Sequence, residues 1–171
     1  FPELIFETLQ PDFGIKGEAE EALLQLINCI ENNSDYKQIE GLVYKTSSDE
    51  IKVNPRANFL NSLELSFEKD LVDYYWSKSG MLNIQTKRGC PYNCIYCSYP
   101  VIEGRKIRTL NADLIVETLR DLYFNLGITY VFFTDSVFNI SSEYNIQLAK
   151  KIIESGVKVN WGAYFSPHNI T

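Results

Sequence analysis

Apolar positions along the chain repeat with two different periods, and their alternation predicts an α/β fold. Residues 3–9 have the composition of a helix that ends near Pro11, and residues 12–16 are long enough only for a short edge strand. A second helix is predicted from Gly17, because the glutamates of its first turn suit the positive end of the helix dipole. Its predicted buried face consists of apolar side chains at helical spacing: Ala22, Leu23, Leu26, Ile27 and Ile30.

The next stretch predicts a β-hairpin followed by a connection. Polar residues break the helical pattern at 32–35, and two β-rich runs follow at 41–45 and 50–54, separated by a polar turn. Residues 55–79 show no sustained period, so this segment is predicted to be an irregular connection. We therefore expect a linker that contains the hairpin to cover residues 34–80.

From Met81 onwards, strand patterns alternate with helix patterns. Strands are predicted at 82–86, 128–134 and 157–163, and the unbroken apolar run of the second predicts burial on both of its faces. Strand, helix, strand, helix, strand predicts right-handed parallel βαβ units. The first helix is predicted to run from Asn111 to Gly127 and to bury Leu114, Ile115, Leu119, Leu122 and Tyr123. The second is predicted to run from near Ser141 to Gly156 and to bury Ile146, Ala149, Ile152 and Ile153.

Composition and charge exclude several classes of protein. The 171 residues are 45% hydrophobic and 13% aromatic, which indicates a globular chain with a core. With 16 Lys and Arg against 22 Asp and Glu, the net charge of −6 disfavours sequence-independent binding of nucleic acid. No apolar run approaches the ~20 residues that cross a bilayer, and no signal peptide is recognisable, so we expect a cytoplasmic protein. The chain begins at Phe1 instead of Met, and we expect it to be a piece of a larger protein.

Three of the four cysteines, Cys90, Cys94 and Cys97, form a cluster directly after the first predicted strand of the βα repeat. Thiolate sulfur is a soft ligand that selects iron–sulfur clusters, zinc or copper(I). Structural zinc sites and electron-transfer clusters take four ligands, whereas this loop offers three. The only histidine, His168, is distant in the sequence. The spacing therefore predicts a metal centre with an open coordination position, at the carboxyl end of the strands where such sheets bind ligands.

Two other functions are compatible with these cysteines. A structural zinc module would take its fourth ligand from another chain. A thiol–disulfide module would use Cys94 and Cys97, but it leaves Cys90 unexplained, and residues 98–100 are predicted to interrupt the helix that such a motif opens. The remaining cysteine, Cys29, is interpreted as a small buried thiol.

The run CPYNCIYC at residues 90–97 resembles the cluster loop of the radical SAM superfamily. The resemblance implies that Cys90, Cys94 and Cys97 hold a [4Fe–4S] cluster and that S-adenosylmethionine (SAM) chelates the fourth iron. It also implies that Tyr96 lies against the adenine. In this family one electron from the cluster cleaves SAM to a 5′-deoxyadenosyl radical, which abstracts hydrogen from the substrate.

The resemblance extends to the end of the next strand, with a departure from the family pattern. There the family often carries a Gly-Gly-Glu type segment that holds the methionine amino group, whereas this chain has Phe-Thr-Asp-Ser at residues 133–136. The implied acceptors for that ammonium group are Asp135 and Ser136. Three arginines flank the cluster loop and either bind anions or only interact with solvent: Arg88, Arg105 and Arg108.

The wider layout is similar to the radical SAM subgroup with an N-terminal cobalamin-binding domain. This similarity rests on the helix start at 17–21, on GLVY at 41–44 and on NIQTKRGC at 83–90. It implies an α/β chain with three parts: the end of a Rossmann-like cobalamin-binding domain at 1–33, a linker at 34–80, and the first half of a partial TIM-type barrel at 81–171.

The subgroup resemblance also implies cofactors and partners. Its members commonly transfer methyl groups through cobalamin, although ring rearrangements also occur, so cobalamin is expected in the intact protein. An electron donor such as flavodoxin or ferredoxin is expected, together with a small-molecule, lipid or peptide substrate that the sequence does not identify. Half a barrel would expose apolar surface and a sheet edge, so we expect the chain to associate with a partner or with itself.

Overall fold

The computed structural model describes residues 1–60 and 65–169. Its helices are α1 (Pro2–Leu9), α2 (Glu20–Glu31), α3 (Lys69–Ser79), α4 (Tyr99–Ile102), α5 (Ala112–Arg120) and α6 (Ser142–Glu154). Its strands are β1 (Gly14–Ile15), β2 (Leu42–Lys45), β3 (Ile51–Val53), β4 (Leu82–Ile84), β5 (Lys87–Arg88), β6 (Arg108–Thr109), β7 (Tyr130–Phe133) and β8 (Asn160–Ala163). A π-helical turn (Asp121–Asn125) extends α5, and 3₁₀ turns occupy Phe138–Ile140 and Pro167–Asn169.

The chain packs as two units. The first combines residues 1–60 with residues 94–103, and the second combines residues 61–93 with residues 104–171. Neither unit begins near residue 34 or 81, so the three-part domain division stays a prediction from the sequence. None of the described helices has the length and apolar character needed to cross a membrane.

The first unit is built on an antiparallel sheet of order β1-β2-β3, which confirms the predicted hairpin. Helix α2 begins at Glu20, slightly later than predicted, and buries only Ala22 and Leu26. The burial predicted for Leu23, Ile27 and Ile30 is wrong, since each is about half exposed. A narrow stripe of α2 is enough to cover the apolar partners in this unit, which are Ile39, Leu42 and Tyr44.

Helix α4 corrects a second prediction. Residues 98–100 do not interrupt helical structure, because α4 begins at Tyr99 and places Pro100 in its first turn. Proline is tolerated there because a first-turn N–H has no intrahelical acceptor. The short helix nevertheless begins after Cys97 and does not contain the cysteine pair.

The second unit contains a parallel sheet of order β4-β7-β8, as the alternation of strands and helices predicted. Asn111 caps α5 as predicted, since its side chain accepts a hydrogen bond from the Asp113 N–H at 2.8 Å. Buried side chains from the sheet and from α3, α5 and α6 form the main core, including Val72, Leu82, Ile84, Ile115, Leu119, Leu122, Val131, Phe133 and Leu148.

Several predictions about the second unit fail because burial depends on packing partners. The segment at 55–79, predicted to be irregular, contains α3, which buries only Val72 and so shows no apolar period. In α6 the buried residue is Leu148, whereas Ile146, Ala149 and Ile153 are exposed. Strand β7 buries alternate residues instead of both faces, since Val131 and Phe133 are buried but their neighbours are only partly covered.

Where β4 ends, the chain continues into β5, which pairs antiparallel with β6. Gly89 follows β5 with φ = +90°, and a Cβ atom at this position would lie 2.2 Å from the carbonyl oxygen of Lys106. The residue is therefore glycine for two reasons, its backbone conformation and the close approach of another backbone segment.

We expect Gly89→Ala to destabilise the protein by at least about 3 kcal/mol, because the cost of a positive φ adds to that of overpacking against a carbonyl group. Gly156→Ala is the matched control, since Gly156 has φ = +74° but open space around its Cα. That control is expected to cost about 1–2 kcal/mol. Urea unfolding measures both changes, and equal losses would contradict the packing described for Gly89.

Candidate metal and cofactor site

Cys90 lies in the second unit, at the end of a segment whose backbone is held by hydrogen bonds. The residues before it form β5, and its own N–H donates to the carbonyl oxygen of Gly104 at 3.0 Å. The Oγ of Ser136, which follows β7, donates to the carbonyl oxygen of Gly89 at 3.1 Å. Cys90 is buried. The backbone that presents this thiol is thus fixed by pairing on both sides.

The other two cysteines of the motif belong to the first unit. Cys94 is exposed and Cys97 is partly exposed, and the N–H of Cys97 donates to the carbonyl oxygen of Cys94 at 3.2 Å in a turn that leads to α4. Between them, Tyr96 is 88% exposed. Its ring is therefore available to contact a ligand such as an adenine base.

The donor set of this loop fits a metal cluster by its chemistry. All four cysteines of the chain lie in the described residues and are free thiols. Across residues 1–60 and 65–169, however, no group of three or more His, Cys, Asp or Glu side chains is gathered to hold a metal ion. The convergence of Cys90, Cys94 and Cys97 on one cluster therefore stays a prediction from their spacing.

The most constrained side chain at the end of the parallel sheet is that of Asp135. It is 0% exposed and accepts four hydrogen bonds from two residues. Oδ1 accepts the backbone N–H groups of Thr86 at 2.6 Å and Lys87 at 3.0 Å. Oδ2 accepts the Thr86 hydroxyl at 2.5 Å and the Lys87 ammonium at 2.7 Å.

The ammonium group of Lys87 is buried just as completely. Lys87 is 1% exposed, and its Nζ also donates to the Thr86 Oγ1 at 3.1 Å and to the carbonyl oxygen of Phe138 at 2.9 Å. Together with Asp135 these acceptors use all three ammonium protons. Nζ further lies 4.5 Å from the centre of the Phe138 ring and 5.4 Å from that of Tyr144, within the range of cation–π attraction.

Burial shifts the pKa values of two side chains in this buried network, Lys87 and Tyr144. It lowers the pKa of Lys87 below the usual value for lysine, and the carboxylate of Asp135 opposes that change. Burial also raises the pKa of Tyr144 to about 12, and the negative charge of Asp135 adds to the effect. The Tyr144 hydroxyl donates to the carbonyl oxygen of Thr86 at 3.3 Å, so Tyr144 belongs to the buried network as a neutral hydrogen-bond donor.

These contacts change the interpretation of the two residues predicted to bind the ammonium group of SAM. Both carboxylate oxygens of Asp135 are occupied by protein donors and are hidden from solvent, so Asp135 serves the protein's own backbone in this structure. Ser136 is only partly buried, and its hydroxyl donates to Gly89, which leaves lone pairs that can accept a hydrogen bond.

The flanking polar residues mostly contact the protein itself. The guanidinium of Arg88 donates to the Gln85 side chain at 2.7 Å, and that of Arg105 donates to the Asn93 side chain. His168 is closer to the loop than its sequence separation suggested, since its ring centre is 6.1 Å from that of Tyr92. This contact is between two rings and brings no further ligand to the cysteines.

The sequence analysis missed the buried network because it treated Thr86 only as the end of a strand and Lys87 only as part of the connection to Cys90. The available signal was a lysine three residues before Cys90 and an aspartate directly after the neighbouring predicted strand. In the observed register Ile84 pairs with Phe133. Continuing that register by two residues places Thr86 beside Asp135, so a correct alignment of the two strands would have revealed the contact.

Comparison with known proteins finds similar sequences and structures. The family described as the Radical SAM superfamily matches residues 84–163, which run from the end of β4 to the end of β8. The chain is 27% identical to an uncharacterised methyltransferase, PH0819, of Pyrococcus horikoshii over 89% of this chain and 34% of the relative. It is 24% identical to the hopanoid C-3 methylase of Methylococcus capsulatus over 86% of this chain and 28% of the relative.

A solved structure has the same fold. The radical SAM methyltransferase TsrM of Kitasatospora setae, with tryptophan substrate and a SAM analogue bound, superposes with a TM-score of 0.79 at 24% identity, over 90% of this chain and 31% of TsrM. Another structure of TsrM contains cobalamin and a [4Fe–4S] cluster. The chain thus spans about a third or less of the length of these proteins. Residues 84–163, a little under half of the chain, thus match the Radical SAM superfamily, and they include the cysteine loop and the parallel strands β7 and β8.

Proposed function

We propose that this protein is a radical SAM enzyme in which Cys90, Cys94 and Cys97 hold a [4Fe–4S] cluster. The observation that carries the proposal is the position of the C-x₃-C-x₂-C loop directly after β4 and β5, within the residues that match the family. Three thiolates from one loop leave one iron of a four-iron cluster without a protein ligand. When bound and reduced, such a cluster supplies the electron that cleaves SAM into methionine and a 5′-deoxyadenosyl radical.

The chain's own residues have distinct parts in this proposal. Cys94 and Cys97 are accessible thiols that can bind iron directly, whereas Cys90 is held by the backbone of the second unit. The exposed ring of Tyr96 offers a flat apolar surface to adenine. Ser136 is the acceptor we assign to the methionine ammonium group, in preference to Asp135, because only Ser136 keeps lone pairs that are not fully buried.

We extend the proposal to cobalamin-dependent chemistry, namely methyl transfer or a related radical reaction. Its support is the similarity to TsrM, which has been observed with cobalamin and a [4Fe–4S] cluster, and to relatives named as methyltransferases. The substrate stays open, since those relatives are named for acceptors as different as a hopanoid and tryptophan. A one-electron donor of the flavodoxin or ferredoxin type completes the proposed system.

Removal of single cysteines tests the cluster ligands. After anaerobic reconstitution with iron and sulfide, the unaltered protein is expected to hold about four iron atoms per chain. Cys90→Ser, Cys94→Ser and Cys97→Ser are each expected to lose more than about half of that iron, because each removes one of only three protein ligands. Cys29→Ser is the matched control and should keep it, since Cys29 packs against the core of the first unit and its thiol donates to the carbonyl oxygen of Asp35 at 3.5 Å.

Two outcomes of that experiment would contradict the proposal. One is a colourless protein with about one zinc ion per chain, as a structural zinc module requires. The other is iron binding that all three serine variants retain. Iron and zinc are measured by plasma emission spectrometry on the same gel-filtered samples.

The cobalamin extension has a separate test. Consumption of SAM by the reconstituted, reduced protein is expected to rise when hydroxocobalamin is supplied, because cobalamin carries the methyl group in the proposed reaction. Liquid chromatography of SAM and its products measures the change. Equal consumption with and without hydroxocobalamin would contradict cobalamin dependence while leaving the cluster proposal standing.

A further inference from the structure

The buried pair of Lys87 and Asp135 has no part in the chemistry proposed above. Burying an ammonium and a carboxylate costs several kcal/mol per ion before their attraction is counted. A pair of apolar side chains would fill the same space without that cost. The pair therefore calls for an explanation in terms of what its hydrogen bonds hold.

Those hydrogen bonds satisfy backbone groups that the sheet leaves open. The ladder between β4 and β7 ends when the N–H of Thr134 donates to the carbonyl oxygen of Ile84 at 2.9 Å. Beyond that point the N–H groups of Thr86 and Lys87 have no strand to donate to on this side, and Oδ1 of Asp135 accepts both. A buried N–H without an acceptor is costly, so the carboxylate replaces the missing strand.

Lys87 neutralises the charge that this replacement introduces. Its ammonium group contacts Oδ2 and reaches the carbonyl oxygen of Phe138, so it joins the start of β5 to the turn that follows β7. Ser136 adds a third connection, to the carbonyl oxygen of Gly89. The end of β7 thus holds the backbone at residues 86, 87 and 89.

We propose that Asp135 and Lys87 are positioning residues that fix the backbone leading to Cys90. The inference rests on the proposed cluster function, because it concerns the placement of one cluster ligand. Cys90 is only three residues beyond Lys87, and each residue spans at most about 3.6 Å. Fixing the N–H groups at 86 and 87 therefore limits where the Cys90 thiol can be, before any iron is bound.

The experiment compares two double variants without a buried charge, Lys87→Met/Asp135→Asn and Lys87→Met/Asp135→Ala. The asparagine side chain keeps a carbonyl oxygen that can accept the two N–H groups, whereas the alanine side chain offers no acceptor. Each metal-free protein is treated with iodoacetamide, and the alkylation rate of every cysteine is measured by mass spectrometry. In the alanine variant Cys90 is expected to react at least about tenfold faster than in the asparagine variant, because local opening becomes easier.

Two controls separate positioning from a general loss of stability. Asp113→Asn removes an exposed Asp–Lys pair of the same unit, with Lys151, and is expected to leave the Cys90 rate unchanged. Cys29 is the internal reference within each sample, and its rate should be equal in the two double variants. Equal Cys90 rates in those variants, or a parallel rise at Cys29, would overturn the positioning role.

Iron binding separates this inference from the cluster proposal. If Cys90 becomes reactive only in the alanine variant but the unaltered protein binds no iron, the positioning role of Asp135 and Lys87 is supported and the cluster proposal fails. If the unaltered protein assembles the cluster, the alanine variant is expected to bind less iron than the asparagine variant and to give a broader electron paramagnetic resonance spectrum. Identical iron content and spectra in the two variants would overturn the positioning role.

Discussion

A carboxylate without solvent contact can lie at the end of a parallel sheet only if protein donors replace the water that it has lost. Asp135 meets this condition through two backbone N–H groups, a hydroxyl and an ammonium group. The same bonds complete the backbone pairing where the chain passes from β4 into β5. Along the chain, the β5–β6 pairing, the tight backbone at Gly89 and the entry into the cysteine loop come directly after these bonds.

The sequence predicted the order of the elements better than their buried faces. Strand and helix periods are local properties, so the parallel β4-β7-β8 sheet and the β2–β3 hairpin were both predicted. Which side chains become buried depends on what packs against each helix. In α6 that residue is Leu148, whereas the predicted Ile146 and Ile153 are exposed. Helix α3 was missed because Val72 is its only buried residue.

In the candidate site, too, local features could be predicted from the sequence and long-range contacts could not. The cysteine loop is contiguous in the sequence, so residue type and spacing alone are enough to predict a metal centre with an open coordination position. The Lys87–Asp135 pair joins residues 48 positions apart, and finding it requires the register of β4 against β7. That register depends on the packing of both strands and is not visible in the sequence. Asp135 was therefore interpreted as a ligand contact, whereas its carboxylate accepts backbone N–H groups in the structure.

Electron paramagnetic resonance of the anaerobically reconstituted, dithionite-reduced protein, recorded with and without SAM, tests the central claim most directly. A cluster held by Cys90, Cys94 and Cys97 has one iron open to SAM, so the account predicts a reduced [4Fe–4S] signal whose g-values change when SAM is added. A four-iron signal that SAM leaves unchanged would contradict the open coordination position on which the proposed chemistry depends.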